Sequence, residues 1–204
     1  MRELRISKRA DPAYVEAFRT LVRRLLRSAG SKEPIAMYLA GGAAMHLYTG
    51  ARMTDDVDAV FNRKLLLPAD LVVIYRDAEG KARSVFFDVN YNETYALLHE
   101  DAHQDAVRLP LKGIRGARIF VLRPVDLAVS KLARFADIDR EDILELARNR
   151  LITARSLRER AEAALPYYVG NPIPVQTSID IACSDIESLE RAGKRGRKRN
   201  RERR

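Results

Sequence analysis

Two glycines followed at a fixed distance by two alternating carboxylates constrain this chain more than any other feature. The segment runs from Tyr38 to Phe61 as YLAGGAAMHLYTGARMTDDVDAVF. An apolar run ends at Gly41-Gly42, a short helical stretch follows, and Asp56-Val57-Asp58 then opens a β-like run. Alternate residues of a strand face the same side, so Asp56 and Asp58 are expected to converge on one metal ion. Two like charges held that close repel, and a divalent cation relieves the repulsion. A helix start presents unpaired N–H groups to a phosphate, and glycine lets the phosphate approach the backbone. A phosphate cradle beside paired carboxylates is equipment for phosphoryl or nucleotidyl transfer.

The remaining chain is read around that segment. Asp11-Pro12 starts a helix whose apolar residues Val15, Phe18, Leu21, Val22, Leu25 and Leu26 keep helical spacing, and Gly30 stops it. Ile35–Ala40 reads as a buried strand, Ala43–Tyr48 as a helix ending at Gly50, and Val57–Phe61 as a second strand. Residues 71–75 and 84–90 read as strands joined by a hairpin loop at Asp77–Lys81. Thr94–Val107 reads as a helix, with Tyr95, Leu98 and Ala102 facing inward. Residues 109–114 and 117–122 read as short strands. From Val125 onward the pattern is helical: Leu127, Val129, Leu132 and Phe135, then Ile143, Leu146 and Ala147. A further helix spans about 153–165, is broken by Pro166, Gly170, Pro172 and Pro174, and is followed by a last helix over 177–189.

The order and spacing of these motifs over roughly residues 35–150 resemble the DNA polymerase β-type nucleotidyltransferase superfamily. Its signature is an apolar residue, Gly-[Gly/Ser], a gap of about a dozen residues and Asp-x-[Asp/Glu]. Arg52-Met53-Thr54 looks like the Arg-x-[Ser/Thr] of the branch that includes abortive-infection type IV toxins and related toxin–antitoxin nucleotidyltransferases. Pro124–Arg134, with Lys131, resembles that branch's lysine-bearing helix, and Asp139-Arg140-Glu141-Asp142 is similar to its Arg-Asp motif. Gly41-Gly42 departs from the commonest Gly-Ser form and removes one hydroxyl that would hold a phosphate.

The resemblance implies an α/β (α+β) fold: a mixed sheet flanked by helices, a helical C-terminal part and a disordered basic tail. The corresponding division is 1–122, 123–190 and 191–204. It also implies two-metal transfer of a nucleotide from an NTP to an acceptor hydroxyl. Asp56, Asp58 and Asp88 would be the catalytic carboxylates and ligands of Mg2+ or Mn2+. Asp88 is the best match to the superfamily's third carboxylate, and an acid next to Phe86-Phe87 among apolar neighbours needs a partner, which a metal would supply. Gly41, Gly42, Arg52, Thr54 and Lys131 would bind the nucleotide. The acceptor implied is tRNA or another RNA, with a cognate antitoxin as protein partner. Nucleotidylation of a protein or a small molecule is an alternative, as is a non-catalytic nucleic-acid-binding protein on the same fold.

Other residues carry plainer readings. Arg140 and Asp142 are expected to anchor a helix, and Asp55 to point away from any metal. His99-Glu100-Asp101-Ala102-His103 fits the His-Glu-x-x-His pattern of zinc proteases. Asp101 puts a charge where that helix is usually uncharged, and only His46 remains as a further histidine, so the segment is read as a polar helix face. Nine of the 37 Lys/Arg and one of the 28 acids lie in residues 191–204, which leaves residues 1–190 at +1 out of a total of +9. Such a tail suits phosphate backbones without reading sequence. No apolar run reaches the ~18–20 residues that span a bilayer, and the first nine residues lack a signal peptide's apolar region. One cysteine, Cys183, rules out an internal disulfide framework. A cytoplasmic, non-membrane protein is therefore expected.

Overall fold

A computed structural model describes residues 3–30, 33–68 and 70–201, with side chains to residue 192. The chain divides into two compact units. One is Met1–Glu93 with Asp101–Arg123; the other is Thr94–Glu100 with Pro124–Arg204.

The first unit is mixed α/β. Helix α1 (Pro12–Ala29) starts where Asp11 accepts a hydrogen bond from the Ala13 N–H and ends at Gly30 in the left-handed conformation. Its buried face is Tyr14, Ala17, Phe18, Leu21, Val22 and Leu25, a helical stripe. Strand β1 (Ile35–Leu39) leads into α2 (Gly41–Thr49), which closes at Gly50. Helix α2 begins two residues earlier than the apolar pattern suggests, because the glycines themselves form its first turn.

The expected single strand over Val57–Phe61 is two strands. β2 (Asp56–Val57) pairs in parallel with β5 (Ala82–Phe87), which also pairs antiparallel with β4 (Val72–Arg76). β3 (Ala59–Phe61) pairs antiparallel with β1. Asp58 carries the chain from one sheet to the other, and its carbonyl accepts from the Ala40 N–H (3.0 Å), one rung beyond the β1–β3 pairs. The sheets are therefore β3-β1-β7-β6 and β2-β5-β4, with β6 (Val107–Arg108) and β7 (Ala117–Val121). β7 lies parallel to β1 and antiparallel to β6. In the β4–β5 turn, the Asp77 carboxylate accepts from the Glu79 and Lys81 N–H groups and Gly80 takes a positive φ of 80°.

The expected helix over Thr94–Val107 is absent; the segment is a succession of turns. Its buried residues are Leu97, Ala102 and Ala106, while Tyr95 is exposed. Leu97 belongs to the second unit, and Ala102 and Ala106 to the first. These apolar side chains thus serve two cores and do not form one stripe. The first strand of the following pair is correspondingly earlier, at Val107–Arg108.

The second unit is helical: α3 (Pro124–Ser130), α4 (Asp137–Arg148), α5 (Ala154–Ala164) and α6 (Pro172–Arg201). Its core includes Leu127, Leu132, Ile143, Leu146, Leu157, Val175, Ile179 and Ile186. Pro172 and Pro174 sit in the first turn of α6, where a missing N–H breaks no intrahelical bond. They start this helix as well as separating it from the previous one. The backbone of α6 continues through the stretch expected to be a disordered tail as far as Arg201. Residues 202–204 and the side chains from Gly193 onward lie outside the described residues. Among the described residues, no helix is long and apolar enough to cross a membrane.

Candidate active site

Every element that builds the site belongs to the first unit. Gly41 opens α2 with a φ of +53°, and Ala40 caps it with no side-chain hydrogen bond. The first turn of α2 therefore offers backbone N–H groups that no capping side chain satisfies. A Cβ placed on Gly41 would stand 1.6 Å from Asp58 Oδ2. One on Gly42 would stand 2.9 Å from the Thr54 side chain and 3.1 Å from Arg52 Nη2. The glycines thus make room for Asp58, Thr54 and Arg52 at the helix start, a closer use of their missing side chains than phosphate approach alone.

The three expected carboxylates are brought to one end of the unit. β2 and β5 run in parallel register with Asp56 opposite Phe86 and Val57 opposite Phe87. The Asp88 N–H then bonds to the Val57 carbonyl at 3.1 Å, so Asp88 continues that register beside Asp58. Asp56 accepts a hydrogen bond from the Thr54 hydroxyl, and Asp88 Oδ1 accepts from the Asn90 N–H at 2.8 Å. An open depression on this side is lined by Met53, Thr54, Asp55, Asp56, Arg83, Phe86 and Asp88. Asp55 lines it too, within 3.4 Å of the Ser84 hydroxyl. Among the described residues, no group of three or more His, Cys, Asp or Glu side chains is gathered tightly enough to hold a metal ion.

Three phenols near these carboxylates are held protonated. Burial above all pushes the Tyr14 phenol up, and Tyr75, Asp56, Asp58 and Asp55 add to the shift. The Tyr91 phenol rises by burial, then through Glu93 and Asp58. Tyr75 is pushed up to about 12, mainly by burial, with Asp11 and Asp55 contributing. Carboxylate and hydroxyl oxygens are the donor types that hard divalent cations prefer.

Lys131 is in the second unit and nearly buried. Its ammonium lies 2.7 Å from Asp142 and 3.5 Å from Asp139. Arg134 grips Asp139 with two hydrogen bonds of 2.7 Å. Burial would raise the Asp139 carboxyl, but Arg134 and Lys131 together hold it below its ordinary value. Arg140 makes a two-pronged pair with Asp185 on α6. The two histidines of the His-Glu-x-x-His pattern keep different company. His99 faces the Tyr167 ring at 6.1 Å. His103 stacks on Tyr38 at 4.4 Å and lies 2.8 Å from Glu93.

Sequence reasoning passed over Arg83 and Phe86, which line the depression, and His46, which is buried in α2. Strand alternation around Asp88 points to Phe86; the sequence holds no comparable signal for Arg83.

A family model described as a nucleotidyltransferase of unknown function (DUF6036) matches residues 16–187. No curated protein and no solved structure matches the chain.

Proposed function

The chain belongs to this family of nucleotidyltransferases of unknown function, and from that premise we propose that it transfers a nucleotide from an NTP to an acceptor hydroxyl with the help of magnesium. One observation carries the reading. Asp56 and Asp88 line one depression, and Asp88 continues the β2–β5 register beside Asp58, which stands against the glycine that opens α2.

The roles follow from position. The first-turn N–H groups of α2, at Gly41 and Gly42, would receive the terminal phosphates, since the positive end of a helix dipole favours an anion. Arg52, whose guanidinium reaches Gly42, would neutralise phosphate charge there. Thr54 would fix the orientation of Asp56 through its hydroxyl. Asp56 and Asp58 would hold the magnesium that accompanies the triphosphate, with Asp88 as the third carboxylate. Bound there, the ion would offset negative charge on the α-phosphate as the acceptor attacks and pyrophosphate leaves. Asp88 would also accept the acceptor hydroxyl's proton. Lys131 we assign to fastening α3 to α4, because Asp142 and Asp139 already engage its ammonium.

RNA, tRNA in particular, is the acceptor class we propose. The basic residues concentrated in 191–204 favour a phosphate backbone. A toxin role with a separate antitoxin would fit that chemistry.

The test is incubation with each labelled NTP, magnesium and total tRNA, beside an Asp56→Ala/Asp58→Ala double variant. Label on RNA with the wild type alone supports the reading and names the base. Label on neither RNA, protein nor small-molecule acceptors, with no pyrophosphate formed, overturns it.

A further inference from the structure

His46 is the one buried titratable side chain of α2, and no step above uses it. It is 1 % exposed. It lies four residues after Gly42, so both project from the same side of the helix. Gly42 meets the Arg52 and Thr54 side chains; His46 meets the Arg52 backbone, with Nδ1 2.8 Å from the Arg52 carbonyl oxygen. The other ring nitrogen, Nε2, accepts a hydrogen bond from the Asp11 N–H at 2.9 Å.

Those two bonds fix the state of the ring. A nitrogen that accepts from an N–H carries no proton, so the proton is on Nδ1 and donates to Arg52. The ring is neutral, and protonation at Nε2 would set two N–H groups against each other.

The surroundings show what the ring ties together. On one side is the strap before α1. Ser7 N–H bonds to the Leu47 carbonyl at 2.9 Å, and the Arg9 backbone fills the space over Gly50, where a Cβ would meet it at 2.3 Å. Asp11 caps α1 and also accepts from the Ala78 N–H of the β4–β5 turn at 3.0 Å. On the other side, Arg52 leads through Thr54 to Asp56. Tyr14 covers the ring edge-on at 4.8 Å, with Tyr75 behind it. The titratable or charged groups facing His46 are thus Asp11 at the cap of α1, Tyr14 of α1, Arg52 of the loop after α2, and Tyr75 of β4 one layer away.

We propose that His46 is a positioning residue: in its neutral, Nδ1-protonated form it clamps the Arg52–Asp56 segment to α2 and so sets Arg52, Thr54 and Asp56 for the triphosphate. The clamp rests on the transferase reading for its purpose, though not for its existence. Its two bonds have separate duties. The Nδ1 bond holds the segment that carries the chemistry; the Nε2 bond holds the start of α1. Burial lowers the pKa of this imidazole, against smaller opposing effects from the Arg52 carbonyl and Asp11. The clamp is therefore closed at neutral pH and opens in acid.

Asparagine and glutamine separate the two duties. An Asn amide reaches the place of Nδ1 and can donate to Arg52; a Gln amide reaches the place of Nε2 and can accept from Asp11. Hydrogen exchange over residues 52–58 and steady-state pyrophosphate release, both from pH 5 to 8, compare wild type with His46→Asn, His46→Gln and His46→Ala. His46→Gln is expected to exchange at least tenfold faster over 52–58 at pH 7.5 and to lose about tenfold or more in kcat, with KM for the triphosphate moving less. His46→Asn should recover most of both losses. Wild-type protection over 52–58 should fall in acid beyond the intrinsic pH effect, and His46→Asn should lose that acid step. Equal behaviour of the Asn and Gln variants, or a wild-type segment with no such step, overturns the clamp. Should no variant fold, the wild-type exchange profile still decides. A wild type that releases no pyrophosphate defeats the transferase reading, while exchange still tests the clamp.

Discussion

At Gly41 the backbone is left-handed and the Asp58 carboxylate occupies the place of a side chain. With φ at +53° and Asp58 Oδ2 at 1.6 Å from the place of a Cβ, alanine would be strained twice. The left-handed backbone alone costs about 1–2 kcal/mol for a residue with a Cβ. Asp58, the movable end of that contact, would have to swing aside. Gly41→Ala should therefore lower stability by about that amount in urea unfolding, while pyrophosphate release falls by a larger factor than an intact Asp58 would allow. Gly42→Ala keeps an ordinary helical φ, and its methyl meets Thr54 at 2.9 Å. It should act chiefly by pushing Thr54 away from Asp56, with a stability loss below that of Gly41→Ala. The sequence marked both glycines and all three aspartates as unusual, since apolar runs seldom end in paired glycines or run from two phenylalanines into a carboxylate. It did not reveal that Asp58 sits where the chain changes sheets. That depends on which neighbours β2 and β3 find, and those lie tens of residues away. Nor did it reveal His46, whose importance comes from Asp11 and Arg52 meeting it in space.

At the scale of elements, local signals were legible where one segment serves one core. Helix α1 shows this plainly: Asp11, Pro12, a single apolar stripe and Gly30. Legibility failed over residues 94–107, where successive apolar residues are divided between two units, and at Pro172, where a breaker also makes a good first turn. The α3–α4 junction makes a further test. Lys131 meets two carboxylates on residues that are themselves buried, Asp139 at 1 % and Asp142 at 4 % exposure. Removing the cation leaves buried charge short of its counter-ion, which typically costs about 3–5 kcal/mol. Lys131→Met should thus unfold at clearly lower denaturant, with Lys131→Arg in between. If the ammonium instead served the triphosphate alone, Lys131→Met would raise KM and leave the unfolding midpoint in place.

For the whole molecule, two histidines tilt the pH dependence of stability in opposite directions. His46 has a folded pKa below its unfolded value of about 6.5. The unfolded chain then binds more protons, so stability contributed by His46 is full above that pH and drains away as pH falls through the folded value. Glu93 raises the pKa of His103, which is partly open to water, so its smaller contribution is present in acid and lost as pH rises through the raised value. His46→Asn should flatten the acid loss, and His103→Asn should deepen it, in thermal unfolding between pH 5 and 7.5. Charge is distributed still more unevenly than these titrations. Residues 1–190 are nearly neutral, and nine basic residues crowd into the last fourteen. A chain ending at Glu190 keeps the hydrogen bond that Glu190 accepts from the Ala154 N–H at the start of α5. The helical unit should therefore fold without the basic stretch. Each phosphate neutralised on a single strand contributes about −0.7 to the slope of log K against log salt. If half of the nine basic side chains engage RNA, the full chain should show a slope of about −3 and the truncated chain a slope near zero, read by fluorescence anisotropy from 50 to 300 mM salt. Pyrophosphate release at saturating RNA should survive truncation, because the proposed site lies wholly in the first unit, while the RNA concentration needed for it should rise at least tenfold. An unchanged salt slope would assign RNA contact to the folded units and leave the basic stretch without that role.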